Sequence, residues 1–416
     1  MKKHLLLILL FSIMLMTTNC NNEGDNHNHF IEDLRHLHTL LQNNFALYDV
    51  AYWAHGVNIG LIFENLESEV LNNPNINEAE FFNLLVYNFQ PLHGIGHFRV
   101  ISPSAHHSIL YIEHPNVFRV APWTWERLNA PHVMAFYEPR HPDASKLIES
   151  ITEDAKPLIL DSLIAGHIAY LAVPYFTAFN HNSDELDTRI LDFFHSIQDY
   201  NHLIIDLRGN HGGWPQSFFY SVISPNIESS LIARGFTFFQ RGHIVEPYAI
   251  FMNTVRYGFG STPGGIMASD TRLQTAATIL ENNYLPDANL RDFERLQYGF
   301  PTRMVISPRQ IPYLKPFRGE IWLLTDRYMF SGAQIAAWAI KDTGFATLVG
   351  EVTGGVYGGQ RTFVDMPNTG IIFEMDIFYV TDKNGRPLEA GTIPHHFNKP
   401  NMNALETAFE MFLPPY

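Results

Sequence analysis

Thr325-Asp326-Arg327-Tyr328-Met329-Phe330-Ser331-Gly332-Ala333-Gln334 follows an apolar run from Ile321 to Leu324. The run reads as a buried strand, the stretch after it as a turn, and Ala333 to Ile340 as a helix. Ser331 then stands at a helix N-terminus, where unpaired backbone N–H groups can stabilise a developing oxyanion. A nucleophilic serine needs that placement, but so does an ordinary N-capping serine. The rest of the chain has to separate the two.

Around this stretch the pattern is α/β. His167 to Val173 and Leu203 to Leu207 read as strands and Ser183 to Ser196 as a helix, which implies a parallel sheet. Upstream, residues 31–97 read as a helical bundle. Phe30, Leu34, Leu37, Leu41 and Phe45 recur at helical spacing, and so do Ile59, Ile62, Phe63, Leu66 and Val70. Asn77 to Glu80 carries the N-cap and early acids that open a further helix. Residues 98–165 read as a small mixed subdomain, with strands expected at Ser108 to Glu113 and His132 to Tyr137. The core is expected over 166–416, interrupted at about 226–318 by a Gly-, Pro- and aromatic-rich insertion lining a cleft.

The 416 residues suffice for two or three domains. A formal net charge of −15 argues against nucleic acid as a partner and leaves no polybasic membrane patch. At the N-terminus, Lys2 and Lys3 precede an apolar run, Leu5 to Met16, too short to span a bilayer comfortably. It reads as a signal peptide over residues 1–19. Cys20, the only cysteine, follows directly and resembles the lipidated cysteine of a bacterial lipoprotein, with residues 20–30 as a polar tether. An exported chain, held to the membrane through a lipid anchor alone, is the expectation.

Four segments carry the functional signal. They are Leu92-His93-Gly94-Ile95-Gly96-His97-Phe98-Arg99-Val100, Leu203-Ile204-Ile205-Asp206-Leu207-Arg208-Gly209-Asn210-His211-Gly212-Gly213, the Ser331 stretch with its continuation to Gly350-Glu351-Val352-Thr353-Gly354-Gly355, and Gly385 to Pro394. In this order they resemble the tail-specific (C-terminal processing) serine peptidase family, in its tricorn-core-like branch. The resemblance implies a crotonase-like α/β core with a parallel-rich sheet, preceded by the helical bundle. It also implies a serine nucleophile at Ser331.

One branch of that family pairs the serine with a lysine, and no lysine lies in Thr353 to Gly358. The other uses a histidine from a Gly-His motif and a late glutamate. By that resemblance His97 is the general base and Glu389 the carboxylate that orients it, with oxyanion donors at Gly332 and at Gly212 or Gly213. The chemistry is coherent: a serine hydroxyl needs a base, an imidazole titrates near neutrality, and a carboxylate fixes its tautomer. The chain departs from the motif at Ile95, Gly96, Phe98, Gln334, Ala390 and His395.

His93 and His97 stand four apart like a zinc pair, but Gly94 and Gly96 argue against a helix there. No metal or organic cofactor is implied. Asp206 and Arg208 read as a structural ion pair, and Asn210 as the residue that holds the turn. The expected function is an exported serine peptidase acting on peptides or proteins through an acyl-enzyme. The rivals are a catalytically inactive peptide- or apolar-ligand-binding protein on the same fold, and an esterase using the same triad.

Overall fold

The computed structural model describes residues 23–111, 122–141, 158–176, 183–248, 266–269, 273–356 and 361–412. The signal segment and Cys20 lie outside them.

Four helices come first: α1 (Glu23–Asn44), α2 (Tyr48–His55), α3 (Ile59–Asn72) and α4 (Glu78–Asn88). Their predicted apolar faces are the buried ones: Leu34, Leu37 and Leu41 on α1, Phe63, Leu66 and Val70 on α3, and Phe81 and Leu85 on α4. The capping box forms as expected, with Asn77 accepting from the Glu80 amide and Glu80 returning to the Asn77 amide. The expected tether is different. α1 already runs from Glu23, and Phe30 and Ile31 on it are buried in the core.

After the short strand β1 (Arg99–Val100) come α5 (Pro103–Tyr111), α6 (Pro122–Leu128) and α7 (Pro131–Tyr137). The two strands expected here are therefore corrected. Ser108 lies in α5, and His132 to Tyr137 is helical, with Pro131 in the first turn where its missing N–H costs nothing. A short apolar run cannot be told from a helix by its pattern alone.

The remaining elements are β2 (Ile159–Ile164), β3 (Ile168–Ala172), α8 (Ser183–Ser196), β4 (His202–Asp206), α9 (Pro215–Phe218), β5 (Leu231–Phe239), β6 (Ile266–Ser269), β7 (Gln274–Thr275), α10 (Ala276–Asn282), β8 (Tyr298–Ile306), β9 (Glu320–Thr325), α11 (Gly332–Thr343), β10 (Thr347–Gly350), β11 (Arg361–Asp365), β12 (Ile372–Asp376), β13 (Tyr379–Asp382), β14 (His396–Phe397) and α12 (Ala404–Phe412).

The central sheet has the order β14-β10-β9-β4-β3-β2, and all its neighbours are parallel except β2 and β3. Both faces are covered, which is why Ile-Trp-Leu-Leu shows no polar alternation. Leu203, Ile205 and Leu323 enter the main core, whereas Ile204, Trp322 and Leu324 pack with Ala404 and Ala408 of α12. This is the α/β core with a parallel sheet and helical N-terminal region that the sequence leads one to expect.

Two antiparallel sheets complete the body, β1-β12-β11 and β13-β5-β8-β6. The stretch read as an insertion supplies β5, β6 and β8. Because β5 pairs along its length with β8 and also with β13 from the C-terminal part, this stretch is built into the body. An aromatic chain ties the bundle to the core: Phe63 to Phe89 at 5.3 Å, Phe89 to Phe98 at 5.3 Å, and Phe89 to Phe373 of β12 at 5.5 Å. Each such ring pair adds about 0.5–1.5 kcal/mol beyond its area burial.

Candidate active site

β4 and β9 are parallel neighbours, with Asp206 opposite Leu324, so their C-terminal turns leave the sheet side by side. Ligands of parallel α/β sheets bind at that edge. The first turn is held as the sequence suggests. Arg208 Nη2 donates to Asp206 Oδ2 (2.6 Å), Asn210 Nδ2 to the Val173 carbonyl (2.9 Å), and the Gly212 amide to Asn210 Oδ1 (2.7 Å). Asp326 locks the two turns together by accepting from the Gly209 and Tyr328 amides, both at 3.0 Å.

Ser331 is the N-cap of α11, yet its side chain does not cap the helix. Its backbone sits at φ 51° and ψ −116°, a region costly for a residue with a Cβ, on the order of 1–3 kcal/mol. Neighbouring backbone enforces that shape: the Phe330 amide donates to the Asn210 carbonyl and the Ser331 amide to the Gly355 carbonyl, both at 3.2 Å. The conformation turns Oγ away from the helix and onto Nε2 of His97, 2.9 Å away. The side chain therefore does not serve as a helix cap.

His97 ends a tight turn, Ile95–His97, and is itself at φ 52°. A Cβ at Gly96 would come within 2.6 Å of Leu47 Cδ1 and 2.9 Å of Phe45 Cε2, so the bundle leaves no room for a larger residue beside the histidine. The imidazole is mostly buried, with the edge of the Phe330 ring against it at 5.6 Å between centroids. Its Nδ1 lies 2.7 Å from Asp376 Oδ2. With a carboxylate on Nδ1, the proton belongs there, and Nε2 is free to accept from Ser331 Oγ–H.

The carboxylate on His97 is thus Asp376, and the placement of Glu389 there is corrected. Glu389 Oε1 accepts instead from the Gly96 amide at 3.2 Å, and its Oε2 is buried with no partner among the described residues. Burial, then the negative charge of Asp376, push this carboxyl up to about 8 against the pull of the Gly96 hydrogen bond. Asp376 was missed because it lies inside an apolar strand, Ile372-Phe373-Glu374-Met375-Asp376. The available signal was two acids two apart in such a strand, hence on one face of a fully buried element.

The candidate oxyanion donors come together. Gly212 is at φ 101°, and a Cβ there would lie 2.6 Å from the Gly332 amide nitrogen and 3.1 Å from Ser331 Cβ. One on Gly332 would strike the Gly213 carbonyl at 2.1 Å. Glycine at both positions lets the two backbones touch beside the nucleophile. Gln334, one turn into α11, clamps the Glu389 segment: its Nε2 donates to the Leu388 carbonyl and to Thr392 Oγ1, both at 3.1 Å, and its Oε1 accepts from Thr353 Oγ1. A glutamate could not donate those bonds.

A family model described as peptidase family S41 matches residues 167–397. The chain belongs to peptidase family S41. It is a serine-type peptidase, a hydrolase, and the tail-specific resemblance of its motifs is the family relationship itself. No curated protein matches the chain. Among solved structures, a candidate peptidase from Parabacteroides merdae shares 16% identity over 95% of this chain and 98% of its own, with a TM-score of 0.52. Mature CPAF shares 13% identity over 89% and 92%, with a TM-score of 0.52. At such identities the likeness is one of fold. Across the described residues, no helix of this S41 peptidase is long and apolar enough to cross a membrane.

Proposed function

We propose that this chain cleaves peptide bonds through an acyl-enzyme on Ser331, with His97 as general base and Asp376 as the residue that orients it. The observation that carries this reading is the unbroken chain from Ser331 Oγ to His97 Nε2 (2.9 Å) and from His97 Nδ1 to Asp376 Oδ2 (2.7 Å). His97 takes the Oγ proton as Ser331 attacks the carbonyl, and Asp376 stabilises the imidazolium that results. The Gly332 amide, with that of Gly213, receives the oxyanion; the Gly212 amide is already held by Asn210 Oδ1 and is no donor to it. The imidazolium then protonates the leaving amine, and a water activated by the same histidine releases the acyl group.

The substrate class is polypeptide, cut internally or near a C-terminus. The enzyme works outside the cytoplasm, in the cell envelope, anchored by lipid on Cys20. The test is a fluorophosphonate probe with wild type and Ser331→Ala, followed by peptide-library digestion read by mass spectrometry. Labelling and cleavage by wild type alone support the reading. No labelling of a folded wild type would favour a non-catalytic ligand-binding protein. Labelling with ester but no peptide turnover would favour an esterase.

A further inference from the structure

Two buried carboxyl groups lie behind His97, and each has one oxygen without a partner among the described residues: Asp376 Oδ1 and Glu389 Oε2. Their other oxygens are engaged, Asp376 Oδ2 by His97 Nδ1 and Glu389 Oε1 by the Gly96 amide. A buried carboxylate with one oxygen left without a partner is costly to ionise. A proton on that oxygen removes the charge and with it most of the desolvation cost.

We propose that Glu389 serves the site as an uncharged carboxylic acid, a positioning residue that keeps its proton at neutral pH while it holds the Gly96 amide beside His97. This deepens the serine-peptidase reading and rests on it for the role of His97. The proton sits on Glu389 because its Oε2 is buried without a partner among the described residues and the carboxyl holds only the one hydrogen bond from an amide. On Glu389, Oε1 already accepts from an amide, so Oε2 is the oxygen that carries it.

The nearest cation in sequence, Arg386, is not among the groups that shift this carboxyl, which are Asp376 and the Gly96 amide. Tyr379 of β13 feels the charge of Glu389, is itself pushed far up by burial, and donates its hydroxyl to Asp292 Oδ2 at 2.6 Å. Arg386, on the same loop, donates from Nη2 to the Ala390 carbonyl at 3.2 Å. The direction of the Glu389 shift, up to about 8, agrees with this. A folded-state value raised above the unfolded one gives a stabilisation fully present below the unfolded value and lost as pH rises through about 8.

The experiment uses the full chain and two variants, Glu389→Gln and Glu389→Ala. Glutamine keeps the shape and a donor without the charge; alanine keeps neither. The expected results are a protonated-carboxyl infrared band at neutral pH that disappears in Glu389→Gln, and an alkaline loss of denaturant resistance in wild type that the same variant lacks. Fluorophosphonate labelling should be faster in Glu389→Gln than in Glu389→Ala by about tenfold or more. The proposal is overturned if the band is absent from wild type, or if Gln is as slow as Ala. The infrared and denaturation readouts need no turnover, so they stand whether or not the chain proves to be a peptidase.

Discussion

Asp376, the last residue of β12, touches Nδ1 of His97 at 2.7 Å. Arg99 pairs with Glu374 and Val100 with Phe373, where the ladder ends; His97 lies in the turn just before β1, and that turn carries its ring to the end of β12. Arg99 Nε also donates to Glu374 Oε2 at 2.5 Å, which fixes that register with a charged pair. The base is therefore delivered by one end of the bundle and its partner by β12, 279 positions away.

Asp376→Asn should leave the fold intact and lower kcat by an amount on the order of 10⁴, as loss of the triad carboxylate does elsewhere. The asparagine amide can point its NH₂ at Nδ1 and stabilise the wrong tautomer. Steady-state kinetics with matched circular dichroism check this. A variant with near-normal kcat would remove Asp376 from the mechanism.

Gly212→Ala should damage both stability and chemistry. Its Cβ would press on the Gly332 amide and on Ser331, at a φ of 101°. Alanine keeps its own amide, so the kinetic cost comes from displacing the Gly332 amide, whose loss as an oxyanion donor would cost about 10² to 10³ in kcat. Gly209→Ala is the control. Gly209 has positive φ but no atom within 4 Å of a Cβ, so the cost there is backbone strain of about 1–2 kcal/mol with the site preserved. Equal kinetic damage in both variants would mean that strain alone, not position, is being read.

Acid should destabilise the region around α5. His106 is fully buried, donates Nε2–H to the Leu128 carbonyl at 3.0 Å, and stacks on Tyr137. Burial, assisted by the nearby His141 and His107, brings it down from 6.5 to about 4. A folded value below the unfolded one means the stabilisation is complete above pH 6.5 and is lost as pH falls toward 4. The full effect is roughly 3 kcal/mol from a shift of that size. Urea midpoints across this range should fall in wild type and fall less in His106→Gln. Parallel curves would assign the acid sensitivity elsewhere.

Cys20→Ser should move the protein from the membrane fraction to the soluble or unprocessed one while leaving turnover unchanged. Acyl chains contribute about 0.8 kcal/mol per buried CH₂, so their loss is decisive for attachment. Metabolic labelling with a palmitate analogue checks it, and an unlabelled wild type would mean an ordinary cleaved signal.

The sequence by itself determined the parts that local chemistry controls. The strand-turn-helix around Ser331 follows from an apolar run, a tight turn and a helix-forming tail. The bundle helices follow from apolar spacing and the Asn77–Glu80 cap, and the parallel core from strands with no polar alternation. Pattern failed at Pro131 to Tyr137, where a short apolar run carries no period of its own. Only the tertiary structure decided what depends on contacts between distant segments. The pairing of β5 with β13 made an apparent insertion part of the body. The placement of the Ile95–His97 turn at the end of β12 chose Asp376 over Glu389 as the partner of His97. Both carboxylates lie after Ser331 in the chain, and nothing local ranks them. The turn before β1 brings His97 Nδ1 to one, and the packing of the 388–392 segment against Gln334 leaves the other on the Gly96 amide.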